Sequence, residues 1–166
     1  MLKLIVSTAV MGLFSMAANA QQNSEPGNGM KQNNNTFINP PGLFDASKNG
    51  FSHVGLKSGK SEFVFIAGQW ASDLTGDLAI EEFGGQVKQT VINLKKALSS
   101  VGLTERDIIK LTIYIANYTP EKKLILLQAA SPLLEMEIFP TSIIVPVPVM
   151  ATHPKSLIEI EAIATK

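Results

Sequence analysis

The sequence has no cysteine, one arginine, one tryptophan and two histidines among its 166 residues. Without cysteine the chain cannot form disulfides, thiolate metal sites or a thiolate nucleophile, and its N-terminus is not that of a lipoprotein. The two histidines, His53 and His153, stand 100 residues apart with no further ligand at a regular spacing. No metal site is therefore predicted.

Excess charge of either sign is also missing. Lys and Arg together number 14, Asp and Glu also number 14, and the single arginine is Arg106. Proteins that bind nucleic acid use clustered basic residues to neutralise phosphates. The charge pattern therefore predicts that nucleic acid is not a partner.

The first twenty residues are typical of a secretory signal peptide. A lysine near the start precedes an apolar stretch, and alanines flank Asn19. The apolar stretch is short for a membrane span, so we predict cleavage after Ala20, a periplasmic or secreted product and no stable membrane association after cleavage. An uncleaved N-terminal anchor stays open as an alternative, as does a translation start at Met30 that would leave a cytoplasmic product.

Residues 21–36 are rich in Asn, Gln, Gly and Ser and poor in apolar side chains. Such a segment cannot bury enough apolar surface to offset the entropy lost on ordering. We predict a disordered leader over 21–36 and a single folded domain over 37–166.

Hydrophobic periodicity predicts the elements of this domain. Alternation predicts strands within 51–59 and 61–73, joined as a hairpin at Gly59. A stripe of apolar residues three and four apart predicts a helix over residues 80–101, ended by Gly102.

The second half of the domain repeats the pattern. Strands are predicted within 107–116, 139–151 and 156–165. A second helix begins with Thr119 as N-cap and Pro120 at its first position, and ends near Ala130 because a proline follows at 132. Prolines at 146 and 148 cannot both lie inside a fully paired ladder, so the strand within 139–151 is predicted to be an edge strand or a short one. The fold class is therefore α+β, a mixed β-sheet with two helices packed on one face.

The last strand raises a chemical question. It reads "LIEIEAIA", and alternation puts Glu159 and Glu161 together on the face opposite Ile158, Ile160 and Ala162. A sheet covered by helices on one side needs a partner for its other face, which favours an oligomer. Either that face is solvated, or one of the carboxylates lines a functional site.

Several segments together resemble one known family. They are "NPPGLF", "GFSH", "FVFIAGQWASDLTG", "DIIKLTIYIAN", the proline at 140 and "IEIEAIA". In this order and spacing, over about residues 37–166, they are similar to the Rid/YjgF family of reactive-intermediate deaminases. The resemblance implies a chorismate-mutase-like fold, a homotrimer and three clefts between subunits. It also implies hydrolysis of imines and enamines without a metal or an organic cofactor.

The resemblance assigns residues to that cleft. Glu159 matches the glutamate that holds the attacking water, and is the candidate catalytic residue. Ser142 stands where the deaminases have the arginine that binds the substrate carboxylate. An arginine fork gives bidentate geometry that a serine cannot supply. We therefore expect weak or absent hydrolysis of the usual 2-imino acids.

The other candidate substrate-binding residues depart from the family pattern in part. Ala67 replaces a serine next to Gly68, and Phe51 replaces a tyrosine in the first strand. His53 follows Phe51 at the expected mouth of the cleft. The sequence therefore predicts an exported Rid-family protein that acts on an altered imine-like substrate; the alternative is a non-catalytic trimer that binds a small molecule.

Overall fold

The computed structural model describes residues 30–131, 134 and 138–166, and in them the chain forms seven strands and two helices. From the third strand onward, their order is the predicted one. In chain order they are β1 (Met30–Gln32), β2 (Asn35–Ile38), β3 (Val54–Lys57), β4 (Phe63–Trp70), α1 (Phe83–Ser99), β5 (Ile108–Ala116), α2 (Pro120–Ala130), β6 (Thr141–Val147) and β7 (Ile158–Thr165).

The strands form two sheets. The first is antiparallel, in the order β1-β2-β3, and the second is mixed, in the order β4-β7-β5-β6, with β5 and β6 parallel. Helix α1 packs on β4 and β7 and against α2. The apolar stripe of α1 and the buried residues of α2 form one core with alternate residues of the mixed sheet. This confirms the α+β fold with both helices on one face of a mixed sheet.

The ends of the helices follow local chemistry. Glu82 precedes α1, and its carboxylate accepts hydrogen bonds from the backbone N–H groups of Gly84 and Gly85, both at 2.7 Å. These bonds lower the pKa of Glu82 below its usual value. As predicted, Thr119 caps α2 with Pro120 at its first position, and Gly102 follows α1 with a φ of 76°. Among the described residues, no helix has the length and apolarity needed to cross a membrane.

The predicted pairing of the third and fourth strands is wrong. Strand β3 pairs with β2 in the first sheet, whereas β4 pairs with β7 in the second. Gly55 explains the position of β3, because a methyl group added there would lie 3.1 Å from Ile109 Cγ1 in β5 and 3.3 Å from Phe37 Cε1. Alternation identifies a strand, but its partner is chosen by contacts far away in the sequence.

The structure also differs from the prediction of a leader as far as residue 36. Strands β1 and β2 form a hairpin whose turn residues, Asn33 and Asn34, have φ values of 46° and 61°. Asparagine tolerates this left-handed conformation, which two-residue hairpin turns require. The polar composition was misleading because these asparagines build a turn. The predicted signal peptide, residues 21–29 of the leader and the proline at 132 lie outside the described residues.

Asn35 provides a test of this ordered N-terminal hairpin. Its side chain is 0% exposed, and its Oδ1 accepts a hydrogen bond of 3.0 Å from Thr165 Oγ1. We expect Asn35→Ala to lower the free energy of unfolding by about 1–3 kcal/mol, because the Thr165 hydroxyl would stay buried without its acceptor. Urea denaturation measures this change. Gln128→Ala, at an exposed amide, is the control; equal stability of both variants would contradict the buried contact.

Candidate active site

The site is organised by an irregularity in β4. Ile66 pairs with Ala162 of β7, but Gln69 pairs with Ile160, so β4 contains one extra residue at Ala67–Gly68. Such a β-bulge reverses the alternation of the strand that follows it. As a result, Trp70 lies directly opposite Glu159, on the face of the sheet that points away from the helices.

Glu159 is half-buried at the centre of this region. Its Oε2 accepts a hydrogen bond of 2.8 Å from Thr152 Oγ1. Its Oε1 lies over Gly68, in the space where any other residue would have its Cβ. Glycine is required here because only a residue without Cβ leaves room for the carboxylate. Strand β5 supplies Tyr114 directly opposite Glu159 on the other side.

A second aromatic ring, that of His153, packs against Trp70. The imidazole of His153 stacks on the indole with a centroid distance of 5.4 Å and an interplanar angle of 19°. His153 Nδ1 accepts a hydrogen bond from the backbone N–H of Lys155 at 3.1 Å, which fixes the ring and leaves Nε2 for another partner. We call Gly68, Trp70, Tyr114, Thr152, His153 and Glu159 the Glu159 cluster.

Phe51 and His53 lie in a different place. Together with Phe44 they form an aromatic cluster, with edge-to-face centroid distances of 4.9 to 6.0 Å. The His53 Nε2 lies 2.9 Å from the Phe44 carbonyl oxygen, and a carbonyl only accepts, so Nε2 carries the proton of this hydrogen bond. The intervening Ser52 donates its hydroxyl to the Phe139 carbonyl at 2.8 Å, which holds this segment beside the start of β6.

Ser142 belongs to the side of the aromatic cluster. In the β5–β6 register it is paired with Leu111, a core residue, so it faces the helices. It lines an almost entirely apolar cavity of about 60 Å³ together with Gly50, the residue before Phe51. The other lining residues are Val91, Leu94, Leu111, Ile113, Leu126, Leu127, Ala130, Ser131, Leu134, Phe139, Pro140 and Ile160.

The predicted site residues therefore fall into two groups. Ala67 and Gly68 form the bulge, and the Glu159 carboxylate lies over Gly68. Phe51 and His53 flank Ser52, which is bound to the start of β6, the strand that holds Ser142. Glu159 and Ser142 point from opposite faces of the same sheet. One chain alone does not bring the two groups into contact.

The structure also places the cations that could substitute for the missing arginine. Lys155 forms an ion pair of 2.8 Å with Glu81, whose hydrogen bond and charge raise the pKa of Lys155. Lys57 donates to the Asn33 carbonyl at 3.4 Å, and Lys110 is exposed on β5. Within residues 30–131 and 138–166, neither of the two ion pairs involves Glu159.

Sequence reasoning missed several residues of both groups. Thr152 and His153 lie in a loop, where the sequence has no hydrophobic periodicity. The face of the sheet on which Trp70 lies depends on the bulge in β4. Lys123 was also missed. It is half-buried on α2, and its Nζ donates a hydrogen bond of 3.2 Å to Oδ1 of Asn49, which precedes Phe51 by two residues. In the described part of the chain, no group of three acidic or histidine side chains could hold a metal ion.

Comparison with known proteins connects this geometry to a family. The family model described as endoribonuclease L-PSP matches residues 45–166. A Rid-family protein from Yersinia pestis, YyfB, is 30% identical with a TM-score of 0.73, covering 80% of this chain and 99% of its own. Escherichia coli TdcF, solved with bound serine, is 26% identical with a TM-score of 0.55, covering 63% of this chain and 80% of its own.

A third solved structure shares the fold at lower identity. RidA from an Antarctic Psychrobacter is 21% identical with a TM-score of 0.56, and the match covers 69% of this chain and 89% of that one. No curated protein matches the chain. The family model spans most of the sequence, and the bulge and final strand that it covers hold Gly68 and Glu159. The chain belongs to the Rid/YjgF family, whose family model carries the name endoribonuclease L-PSP.

Proposed function

We propose that this protein hydrolyses the C=N bond of imine-like small molecules in clefts between the subunits of a homotrimer. The observation that carries the proposal is the position of Glu159. Thr152 holds one of its oxygens at 2.8 Å, and the other lies over Gly68 at the bulge. A carboxylate fixed in this way can orient a water and take its proton.

The proposed reaction uses water and the Glu159 carboxylate. Water adds its oxygen to the imine carbon while Glu159 takes one of its protons and passes it to the nitrogen, which gives a carbinolamine. Glu159 then takes the proton of the carbinolamine hydroxyl and gives it to the nitrogen as the C–N bond breaks. Ammonia and a carbonyl compound are released, and the carboxylate is regenerated at the end of each cycle.

The separation of the two residue groups supports a site shared between subunits. The sheet face that carries Glu159 also exposes Phe63 (58%), Phe65 (75%) and Ile143 (53%), which is unusual for a surface facing solvent. A cyclic trimer would cover these side chains and could bring the aromatic cluster of one subunit to the Glu159 cluster of the next. The serine bound to TdcF supports a small polar molecule as the ligand class.

The substrate is proposed to differ from 2-imino acids. The cavity beside Ser142 is lined by apolar side chains and by no cation, and the half-buried Lys123 is engaged with Asn49, the neighbour of the lining residue Gly50. Loss of one charged anchor costs about 2–5 kcal/mol in a buried contact. The same observation favours a second candidate function, a trimer that binds a small molecule without turning it over.

Ammonia release distinguishes the two functions. The purified protein is incubated with 2-iminopropanoate, and separately with the imine of benzaldehyde, each generated in situ. We expect faster hydrolysis of the imine without a carboxylate. Equal or faster hydrolysis of 2-iminopropanoate would contradict the altered substrate, and no rate above buffer with either imine would favour the binding function.

Export is part of the same proposal, and rests on the signal-like first twenty residues. We expect the mature N-terminus at Gln21 in the periplasmic fraction, measured by mass spectrometry of the purified protein. An intact chain recovered from the cytoplasm would contradict export.

Gly68→Ala tests the position of the carboxylate. The added methyl group would overlap the Glu159 carboxylate, which must then move away from the bulge. We expect hydrolysis to fall by roughly 10²-fold, because a small displacement of a catalytic group has effects of that order. Ala79→Ser, at an exposed residue outside both groups of site residues, is the control. Unchanged hydrolysis by Gly68→Ala would show that the carboxylate position does not matter.

A further inference from the structure

We propose that the Glu159 cluster binds a positively charged group, so that the ligand of this protein is a small cation such as a protonated imine or an ammonium compound. The inference rests on the proposed function only where it names the substrate class. Binding of the cation itself does not require turnover.

The surroundings of Glu159 are negatively charged. The Glu159 carboxylate has one hydrogen-bond donor among the described residues, the neutral Thr152 hydroxyl, and it is not in an ion pair. Two residues further along the same strand face, Glu161 adds a second, exposed carboxylate. Lys110 is exposed on the neighbouring strand, opposite Ile163 rather than opposite either glutamate. The surroundings of Glu159 therefore favour a cation and disfavour an anion.

Aromatic residues flank Glu159 on both neighbouring strands. Trp70 in β4 and Tyr114 in β5 are both directly opposite Glu159, one on each side. Directly opposed residues have Cβ atoms about 4.5–5.5 Å apart, so both aromatic side chains start next to the Glu159 side chain. A cation bound at the carboxylate gains Coulomb attraction from Glu159, and an aromatic ring beside it adds cation–π attraction. His153 stacks on the indole and holds it in place.

The other group of site residues fits the uncharged part of such a ligand. Phe44, Phe51 and His53 present aromatic surface, and the cavity beside Ser142 is apolar. An anion would be repelled by the Glu159 carboxylate, and this unfavourable contact disfavours it just as attraction favours the cation. The serine that replaces the family's arginine is then part of a change in the charge of the ligand, rather than a loss of function.

Trp70 makes the inference directly measurable, because it is the only tryptophan in the chain. The probe is benzyltrimethylammonium, with benzyl alcohol as the neutral analogue and benzoate as the anion, each titrated at constant ionic strength. We expect the cation to change the tryptophan emission in a saturable way, and to bind at least tenfold more tightly than either analogue. Glu159→Gln should remove this preference, whereas Glu161→Gln should retain it.

Benzoate binding as tight as that of the cation, or an unchanged preference in Glu159→Gln, would overturn the inference. Ammonia release measured on the same preparations separates it from the proposed function. If the protein hydrolyses a neutral imine but shows no cation binding that depends on Glu159, the proposed function is supported and the inference is refuted. Cation binding that depends on Glu159, without hydrolysis of any imine, supports the inference and refutes the proposed hydrolysis.

Discussion

Glu159→Gln is expected to lower kcat/KM for imine hydrolysis by about 10²–10⁴-fold, the usual contribution of a general base. Glutamine keeps the size of the side chain and can still accept the Thr152 hydrogen bond, but it cannot take a proton from water. Ammonia release under steady-state conditions measures the change. The free energy of unfolding should stay close to that of the wild type, because Glu159 is only half-buried and is not in an ion pair.

Glu161→Gln is the matched control for this variant. Glu161 is the same residue type on the same face of the same strand and lies opposite the bulge, but it is exposed, and the carboxylate that lies over Gly68 is that of Glu159. It should keep wild-type hydrolysis. If both variants lost the same fraction of kcat/KM, the negative charge of this sheet face would matter rather than one positioned base. If Glu159→Gln kept the wild-type kcat/KM, Glu159 would not be the general base.

Leu94→Ala is expected to have the largest effect on stability. Leu94 is 1% exposed on α1 and packs in the core between the helices and the mixed sheet. Truncation of a buried leucine to alanine costs about 2–5 kcal/mol, because transfer free energy is lost and a cavity remains. Urea denaturation measures this loss, which is a large part of the stability of a typical domain.

Ile92→Ala on the same helix is the control for Leu94→Ala. Ile92 is 38% exposed, so its truncation should change the free energy of unfolding by less than about 1 kcal/mol. If the two variants were equally stable, the stripe of α1 that contains Leu94 would not be the face that packs on the sheet.

The helices could be predicted because their signals are local. The apolar stripe that includes Val87 and Leu94, the Thr119 cap and the positive φ of Gly102 all act within a turn or two of the chain. The edge position of β6 also followed from local chemistry, because a proline cannot donate a ladder hydrogen bond.

The partners of the strands could not be predicted in the same way. The close approach of Gly55 to Ile109 joins residues 54 positions apart, and the contact of Asn35 with Thr165 joins residues 130 apart. Neither contact can be detected from the hydrophobic periodicity of the local sequence. Residues 30–36 belong to a hairpin, although their asparagine-rich composition alone indicates a solvated segment.

The candidate site was predicted only where the family resemblance reached it. Glu159 and Gly68 came from that resemblance, and the structure places them in contact at the bulge. Strict alternation from Ile66 would have placed Trp70 on the core face with it, and one extra residue reverses that placement. The stacking of His153 on Trp70 therefore could not be predicted without the register of β4.

A site shared between subunits is tested most directly by co-expressing two variants, Glu159→Gln and Phe51→Lys, and measuring imine hydrolysis by the purified mixture. Each variant alone should be inactive, since the first lacks the base and the second places a lysine against the neighbouring Glu159. In the proposed trimer, random mixing of the two variants would combine two intact halves in about a quarter of the clefts, so about a quarter of the wild-type rate should return. A mixture no more active than the separate variants would contradict a catalytic cleft between subunits.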